Sequence, residues 1–380
     1  MKIVADENIP YVREVFTPLG EVICISGRNM NPALLLDADV LLVRSITPVN
    51  QDLLQDTSVR FVGTATIGTD HIDQEYLHRR GITFVSAAGS NANSVTEYVL
   101  TALLVLAARY RLNLEGKKLG IIGVGNIGSR LEKKAGALGL QVLPNDPPLQ
   151  RQTGAPRFVA LDQVLQEADI ITCHVPLTRV GPDPTYHLLE AKRLAQLKPD
   201  AILINTSRGA VVDNRALKEY LHQPQAGPVV LDVWENEPHI DVELLEKVSL
   251  ATPHIAGYSL DGKVNGTLML YKALCVFLGE APVKQVNLMP PPPLPAIDRI
   301  DTSVPDQAVM TGVMGSIYDI DADDRNLRGL VNLPVDQRGQ HFDSLRKNYP
   351  VRRESHNTRI NPPLPRSLQE KLTLLGFAVS

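Results

Sequence analysis

Three stretches each set one reactive side chain just beyond a run of apolar residues: Arg208 in "AILINTSRGAVVD", Glu237 in "VVLDVWENEP" and His254 in "LATPHIAGYS". A guanidinium presents a planar fork to a carboxylate and a neighbouring oxygen. An imidazole, with an ordinary pKa of about 6.5, exchanges protons near neutrality. A carboxylate beside that ring orients it and favours its protonated form, raising the histidine pKa. Asp232, in the second stretch, adds another acid at a strand end. Brought together beside a nicotinamide, these groups suit the oxidation of a 2-hydroxy acid.

What must bring them together is a parallel sheet. Strands covered on both faces read as unbroken apolar runs, and their C-terminal loops all face one crevice. The first ninety residues give "KIVAD", "VICIS", "VLLVRS", "RFVGTAT" and "ITFVSAA". A second series from Lys117 gives "KLGIIG", "QVLPND", "RFVA", "DIITCHV", "AILINTS", "PVVLDV" and "VSLATP". Between them "SVTEYVLTALLVLAARY" predicts a long helix capped by Ser94 or Asn93, with Glu97 in its first turn. Another helix, "GKVNGTLMLYKALCVFLG", runs to Gly279. Five prolines in the six residues from Pro290 to Pro295 predict a stiff linker. Beyond it, helices near "DQAVMTGVMGSIYDI" and "SLQEKLTLLGF" form a separate unit. The fold class is α/β: two doubly wound parallel-sheet (Rossmann-like) domains with an additional C-terminal α+β domain.

The second series opens on a nucleotide signature. Gly123, Gly125 and Gly128 stand in G-x-G-x-x-G spacing after a strand and at the start of a helix, and Asp146 ends the next strand. The three glycines serve different ends. Gly123 permits the tight turn, Gly125 the close approach of a pyrophosphate, and Gly128 the packing of helix on strand. Asp146 accepts ribose hydroxyls and would repel a 2′-phosphate, and no arginine follows at once in "NDPPLQ", so the cofactor is NAD rather than NADP.

The blocks "GVGNIG", "HVPLT", "NTSRGAVVD", "LDVWENEP" and "TPHIAGYS", in this order between about residues 40 and 280, resemble the D-isomer-specific 2-hydroxyacid dehydrogenases. The resemblance implies Arg208 and Glu237 as active-site residues and His254 as proton donor or acceptor. It implies NAD contacts from Asn126, Ile127, Asp146, Val175, Thr206, Ser207, Arg208, Asp232 and Gly257. It divides the chain into a discontinuous lid or substrate domain (1–93 and 256–285), an NAD-binding domain (94–255), the linker (286–297) and a C-terminal domain (298–380) that makes a homodimer. The implied substrate is a small phosphorylated 2-hydroxy acid touched by Ser45, Thr66 and Tyr258; which of them holds which oxygen stays open.

Bulk composition narrows the alternatives. Lys and Arg number 38 against 42 Asp and Glu, a net charge of -4 that gives no general attraction to nucleic acid or anionic membrane. No run reaches the roughly 18 apolar residues of a membrane span. Three scattered cysteines fit neither a zinc motif nor a disulfide framework, which points to the reducing cytoplasm. No metal is called for, because the hydride chemistry belongs to the cofactor. "DIDADDRNLRGL" lacks the glycine and glutamate of a calcium loop and reads as a solvated acidic loop. His174 and His187, without a nearby carboxylate in sequence, read as structural or cofactor-lining. Two rivals share the fold: a phosphoglycerate-type dehydrogenase, and a non-catalytic NAD-sensing protein of the corepressor kind.

Overall fold

The computed structural model describes residues 1–282 and 296–380, so most of the expected proline-rich linker lies outside the described residues. The apolar runs become strands β1 (Lys2–Asp6), β2 (Glu21–Ile25), β3 (Val40–Val43), β4 (Phe61–Thr64) and β5 (Thr83–Ser86). The second series gives β6 (Lys118–Ile122), β7 (Gln141–Asn145), β8 (Ile170–Cys173), β9 (Ile202–Asn205), β10 (Val229–Leu231) and β11 (Leu250–Ala251). "RFVA" forms no strand, and its Phe158 instead packs into the core beside Leu138 and Leu140. Two compact units result: Met1–Asn91 with the segment beginning at Ser259, and Ala92–Tyr258 with the C-terminal segment.

In the first unit the strands pair in parallel in the order β2-β1-β3-β4-β5. The helix Leu260–Leu278 starts where Ser259 Oγ accepts from Gly262 N at 2.8 Å and stops at Gly279, whose φ is 71°. Its Leu270, Tyr271 and Leu274 close the core over Ile3, Phe16 and Phe61.

In the second unit the order is β11-β10-β9-β8-β6-β7, again all parallel. The chain goes from β6 outward to β7, then returns to β8 on the other side of β6. That reversal opens a crevice at the C-terminal strand ends, where open α/β sheets bind their ligands. The helix Ala92–Tyr110 is apolar nearly all round and mostly buried, so it needs cover on the side away from the sheet. The C-terminal segment supplies that cover: Val309, Met310, Val313 and Met314 join the same core as Tyr98 and Leu103.

Several expectations are corrected by this packing. The C-terminal segment packs into one compact unit with Ala92–Tyr258: about eighty residues bury little apolar surface alone, and they share the core of the helix. That helix begins at Ala92, before the expected caps. Asn93 Nδ2 and Ser94 Oγ instead donate to Glu354 at 2.8 and 2.6 Å. Glu97 accepts from Ser355 N at 3.1 Å and pairs with Lys134 at 3.7 Å. "DIDADDRNLRGL" is not a solvated loop: Ile320–Arg328 is a helix capped by Asp319. Its buried Asp324 accepts from Ala251 N at 2.7 Å. The helices Asp306–Ile317, Val335–Lys347 and Arg366–Leu375 and a parallel pair β12 (Arg359–Ile360) and β13 (Ala378–Val379) belong to the same segment.

Candidate active site

The glycine turn leaves β6 at Gly123, whose φ of 91° is left-handed. A Cβ there would lie 2.7 Å from the His174 carbonyl oxygen, so only glycine lets β6 and β8 end side by side. A Cβ on Gly128 would meet Gly123 O at 2.1 Å, which is the close approach of helix to strand. Gly125 differs: nothing lies within 4 Å of its Cβ position, and it is exposed together with Asn126. The three glycines thus divide as expected, two for chain against chain and one facing open space. Open space at the start of a helix is what a pyrophosphate would need against the Gly125–Ile127 backbone.

Asp146 stands beside the turn. Its Oδ2 accepts from Val124 N and its Oδ1 from Leu149 N, both at 2.9 Å. The carboxylate therefore fixes the glycine turn and caps the helix Pro147–Thr153, while keeping the acid at the end of β7 where an NAD ribose would lie. Beyond β8, His174 and Val175 line the same edge. His174 is half-buried, held between the hydroxyls of Thr172 and Thr206 at 3.0 and 3.2 Å. Burial pushes its pKa down to about 3, so the ring is neutral at physiological pH.

At the end of β9, Thr206 and Ser207 are buried and Arg208 is partly exposed. Asn205 folds this corner: its Oδ1 accepts from Ser207 N at 3.1 Å and its Nδ2 donates to Arg208 O at 2.9 Å. Gly209 then presses on the next loop, since a Cβ there would lie 1.9 Å from the Trp234 carbonyl carbon. Arg208 and the Trp234–Glu237 loop are neighbours because residue 209 has no side chain.

The loop after β11 is held from below by Asp232. Its Oδ1 accepts from Thr252 Oγ1 at 2.6 Å and Ile255 N at 2.7 Å, and its Oδ2 from Ala256 N at 3.0 Å. Burial raises the Asp232 pKa, countered in part by the charge of His254 and by these hydrogen bonds. His254 itself has φ 59°, a left-handed conformation unusual outside glycine and held here by the fixed loop. Its Nδ1 lies 2.8 Å from Glu237 Oε2. Glu237 Oε1 accepts from Trp234 N at 2.8 Å. Burial alone would raise the Glu237 pKa, yet the net shift is downward because His254, the Trp234 N–H and the Arg346 cation favour the carboxylate. An ionised Glu237 requires the proton on His254 Nδ1, which leaves Nε2 as the basic atom. Gly257 and Tyr258 follow in a turn closed by Tyr258 N donating to Ile255 O at 2.8 Å.

The second sheet therefore brings the expected Arg208, Asp232, Glu237 and His254 to the ends of the adjacent strands β9, β10 and β11, on the same edge of the sheet from which the glycine turn leaves β6. Of the expected substrate contacts, Tyr258 belongs to this unit. Ser45 and Thr66 belong to the other, following the paired strands β3 and β4. Thr66 Oγ1 lies 2.7 Å from Thr64 Oγ1 and donates to Gly68 O at 3.0 Å. The expectation that His187 lacks a carboxylate is corrected: its Nε2 lies 2.7 Å from Glu235 Oε1 and its Nδ1 3.5 Å from Asp213, partners distant in sequence. Sequence reasoning also missed Arg346 and Arg352. Arg352 is buried and donates through Nη2 to Ala256 O, bracing the histidine loop from the C-terminal segment. The basic pair in "PVRRES" was the available signal.

The family description "D-isomer specific 2-hydroxyacid dehydrogenase, NAD binding domain" matches residues 101–256, and "Domain of unknown function (DUF3410)" matches 288–376. The chain is 48% identical over 356 residues to an erythronate-4-phosphate dehydrogenase of Cronobacter sakazakii, covering 93% of this chain and 92% of that protein. It is 49% identical over 361 residues to the protein of that name from Edwardsiella ictaluri, covering 95% and 94%. The chain belongs to the erythronate-4-phosphate dehydrogenase family. It is an NAD-dependent dehydrogenase of the D-isomer specific 2-hydroxyacid class. Solved structures of similar fold include NAD-bound 3-phosphoglycerate dehydrogenase of Entamoeba histolytica, at TM-score 0.63 and 24% identity over 76% of this chain and 99% of that one. The TT0316 protein of Thermus thermophilus aligns at TM-score 0.62 and 26% identity over 74% and 98%. Among the described residues no helix of this dehydrogenase is long and apolar enough to cross a membrane.

Proposed function

We propose that this dehydrogenase oxidises 4-phospho-D-erythronate at C2 to (R)-3-hydroxy-2-oxo-4-phosphooxybutanoate, a step toward pyridoxal 5′-phosphate, in the cytoplasm and as a homodimer through its C-terminal segment. The observation that carries the chemistry is the His254–Glu237 pair at 2.8 Å on the same edge of the sheet as the open glycine turn. The name shared by the curated relatives carries the choice of substrate.

Each group then has a role. NAD, when bound, accepts the hydride that leaves C2. The Asn126 and Ile127 amides and Gly125 hold its pyrophosphate and Asp146 its ribose. Val175, Thr206, Ser207 and Gly257 line its nicotinamide side, and Asp232 serves there through the loop it fixes. Arg208 grips the substrate carboxylate and the reacting oxygen. His254 Nε2 takes the hydroxyl proton, and the Glu237 carboxylate offsets the positive charge that the ring then carries. Tyr258 supplies a hydroxyl to one of the remaining oxygens.

The decisive assay measures NAD reduction with 4-phosphoerythronate, 3-phosphoglycerate and lactate in parallel. Expected is a kcat/KM for 4-phosphoerythronate at least about 100-fold above the others, since unpaired polar groups in a site reject substrates that lack their partners. Equal or better turnover of either competitor overturns the assignment.

A further inference from the structure

The C-terminal segment reaches the catalytic loop at several points: Arg352 braces it, and Arg346 and Tyr349 reach Tyr258. Arg346, in the last turn of Val335–Lys347, sets its guanidinium carbon 5.8 Å from the centre of the Tyr258 ring. The same ring meets Tyr349 edge-on at 5.8 Å, so Tyr258 is gripped from the C-terminal segment on two sides. The guanidinium hydrogen-bonds Tyr258 and faces the negative charges of Glu237 and Asp343. Its Nε is buried and has no hydrogen-bond partner.

Other arginines of this segment show what purely structural service looks like. Arg328 uses Nε on Asp324 and its two remaining nitrogens on the carbonyls of Leu245 and Val248. Arg352 is 8% exposed and bonds Ala256 O, and although its Nη1 is also buried without a partner, it is closed off from solvent. Arg346 combines an unused part of its fork with partial exposure, which Arg352 does not. A buried N–H without a partner is unfavourable, and a planar fork of this kind suits a phosphate.

The substrate class asks for such a group. A short 2-hydroxy acid with a terminal phosphate carries an anion at each end, and Arg208 can serve only the end beside the reacting carbon. We propose that Arg346 is a specificity-determining residue that binds the substrate phosphate, so that the C-terminal segment contributes the second anion-binding group of the active site. This rests on the reading that the substrate is a phosphorylated 2-hydroxy acid, and Tyr258, four residues after His254, is the bridge between the two.

The test uses the full-length enzyme loaded with NAD, as wild type, R346M and R346K. Two quantities are read: kcat/KM for 4-phosphoerythronate against unphosphorylated erythronate, and calorimetric binding of inorganic phosphate. R346M is expected to lower kcat/KM about 10–100-fold more for the phosphorylated acid than for erythronate, the range for losing a charge-assisted pair. It should weaken phosphate binding by a similar factor, and R346K should restore part of both. Equal losses on the two acids with phosphate binding intact would mean that Arg346 acts only by positioning Tyr258 and Glu237, and would overturn the proposal. Unchanged kinetics, or a wild-type enzyme that binds no phosphate, would overturn it too. If wild type ignores 4-phosphoerythronate, the function proposed above fails, while the phosphate titration still decides Arg346: binding lost in R346M supports the role, binding retained ends it.

Discussion

A histidine between a proline and a small-residue turn is an odd place for a proton carrier until its backbone is seen. His254 adopts a left-handed conformation that points its ring to Glu237, and the loop is fixed there by three hydrogen bonds to Asp232. Replacing His254 by alanine should lower kcat by roughly 10²–10⁴-fold while NAD binding, read by nucleotide fluorescence, persists. Near-normal turnover would remove His254 as the base. His174, by contrast, is a stability residue. Folded, its pKa lies near 3; unfolded, it returns to about 6.5. Between those values the unfolded chain binds the extra proton, so stability falls as pH drops, by at most about 1.4 kcal/mol per pH unit. His174→Gln removes that titration, and urea unfolding at a series of pH values should show a shallower acid slope than wild type. An unchanged slope would place the acid sensitivity elsewhere.

Single glycines decide how the strand ends meet. The glycine turn supports a contrast between two equal substitutions. Gly128→Ala puts a methyl 2.1 Å from Gly123 O and should lower the melting temperature. Gly125→Ala meets no protein atom within 4 Å, so the fold should keep its melting temperature while KM for NAD rises. Calorimetric melting and NAD kinetics on both variants check this, and a destabilised Gly125→Ala would contradict the open space above that residue. At this scale the sequence was most legible. All five strands of the first series and six of the seven expected in the second are present, because continuous Val, Ile and Leu runs have few alternatives to a doubly covered strand. "RFVA" failed because two aromatic and β-branched residues serve equally well as a core plug. The helix caps Asn93 and Ser94 failed because Glu354, some 260 residues away, recruits their side chains.

For the molecule as a whole, the C-terminal segment is the part whose role changes. It covers the helix Ala92–Tyr110, ties Glu97 and Lys134 into a buried charged network, and braces the histidine loop through Arg352. Removing residues 298–380 would uncover Tyr98, Leu103 and their neighbours. The truncated chain is therefore expected to aggregate or melt well below the full chain, which thermal unfolding would show. A cleanly folded, stable truncation would refute the shared core. The proposed homodimer is a question for the intact chain: sedimentation at micromolar concentration should give twice the mass of one chain, and a monomer would end the proposal.

The sequence by itself determined the fold class, the glycine turn and the three strand-end side chains, because these rest on local patterns: apolar runs, glycine spacing and the residue that follows each strand. Only the tertiary structure decided what those side chains touch. The pairing of His254 with Glu237 was anticipated as a charge relation, but its 2.8 Å geometry depends on a left-handed corner and on Gly209 admitting the Trp234 loop. Likewise no spacing rule connects Arg346 with Tyr258 or His187 with Glu235. Those contacts join segments far apart in the chain, and they exist because packing brings together surfaces that local propensity does not register.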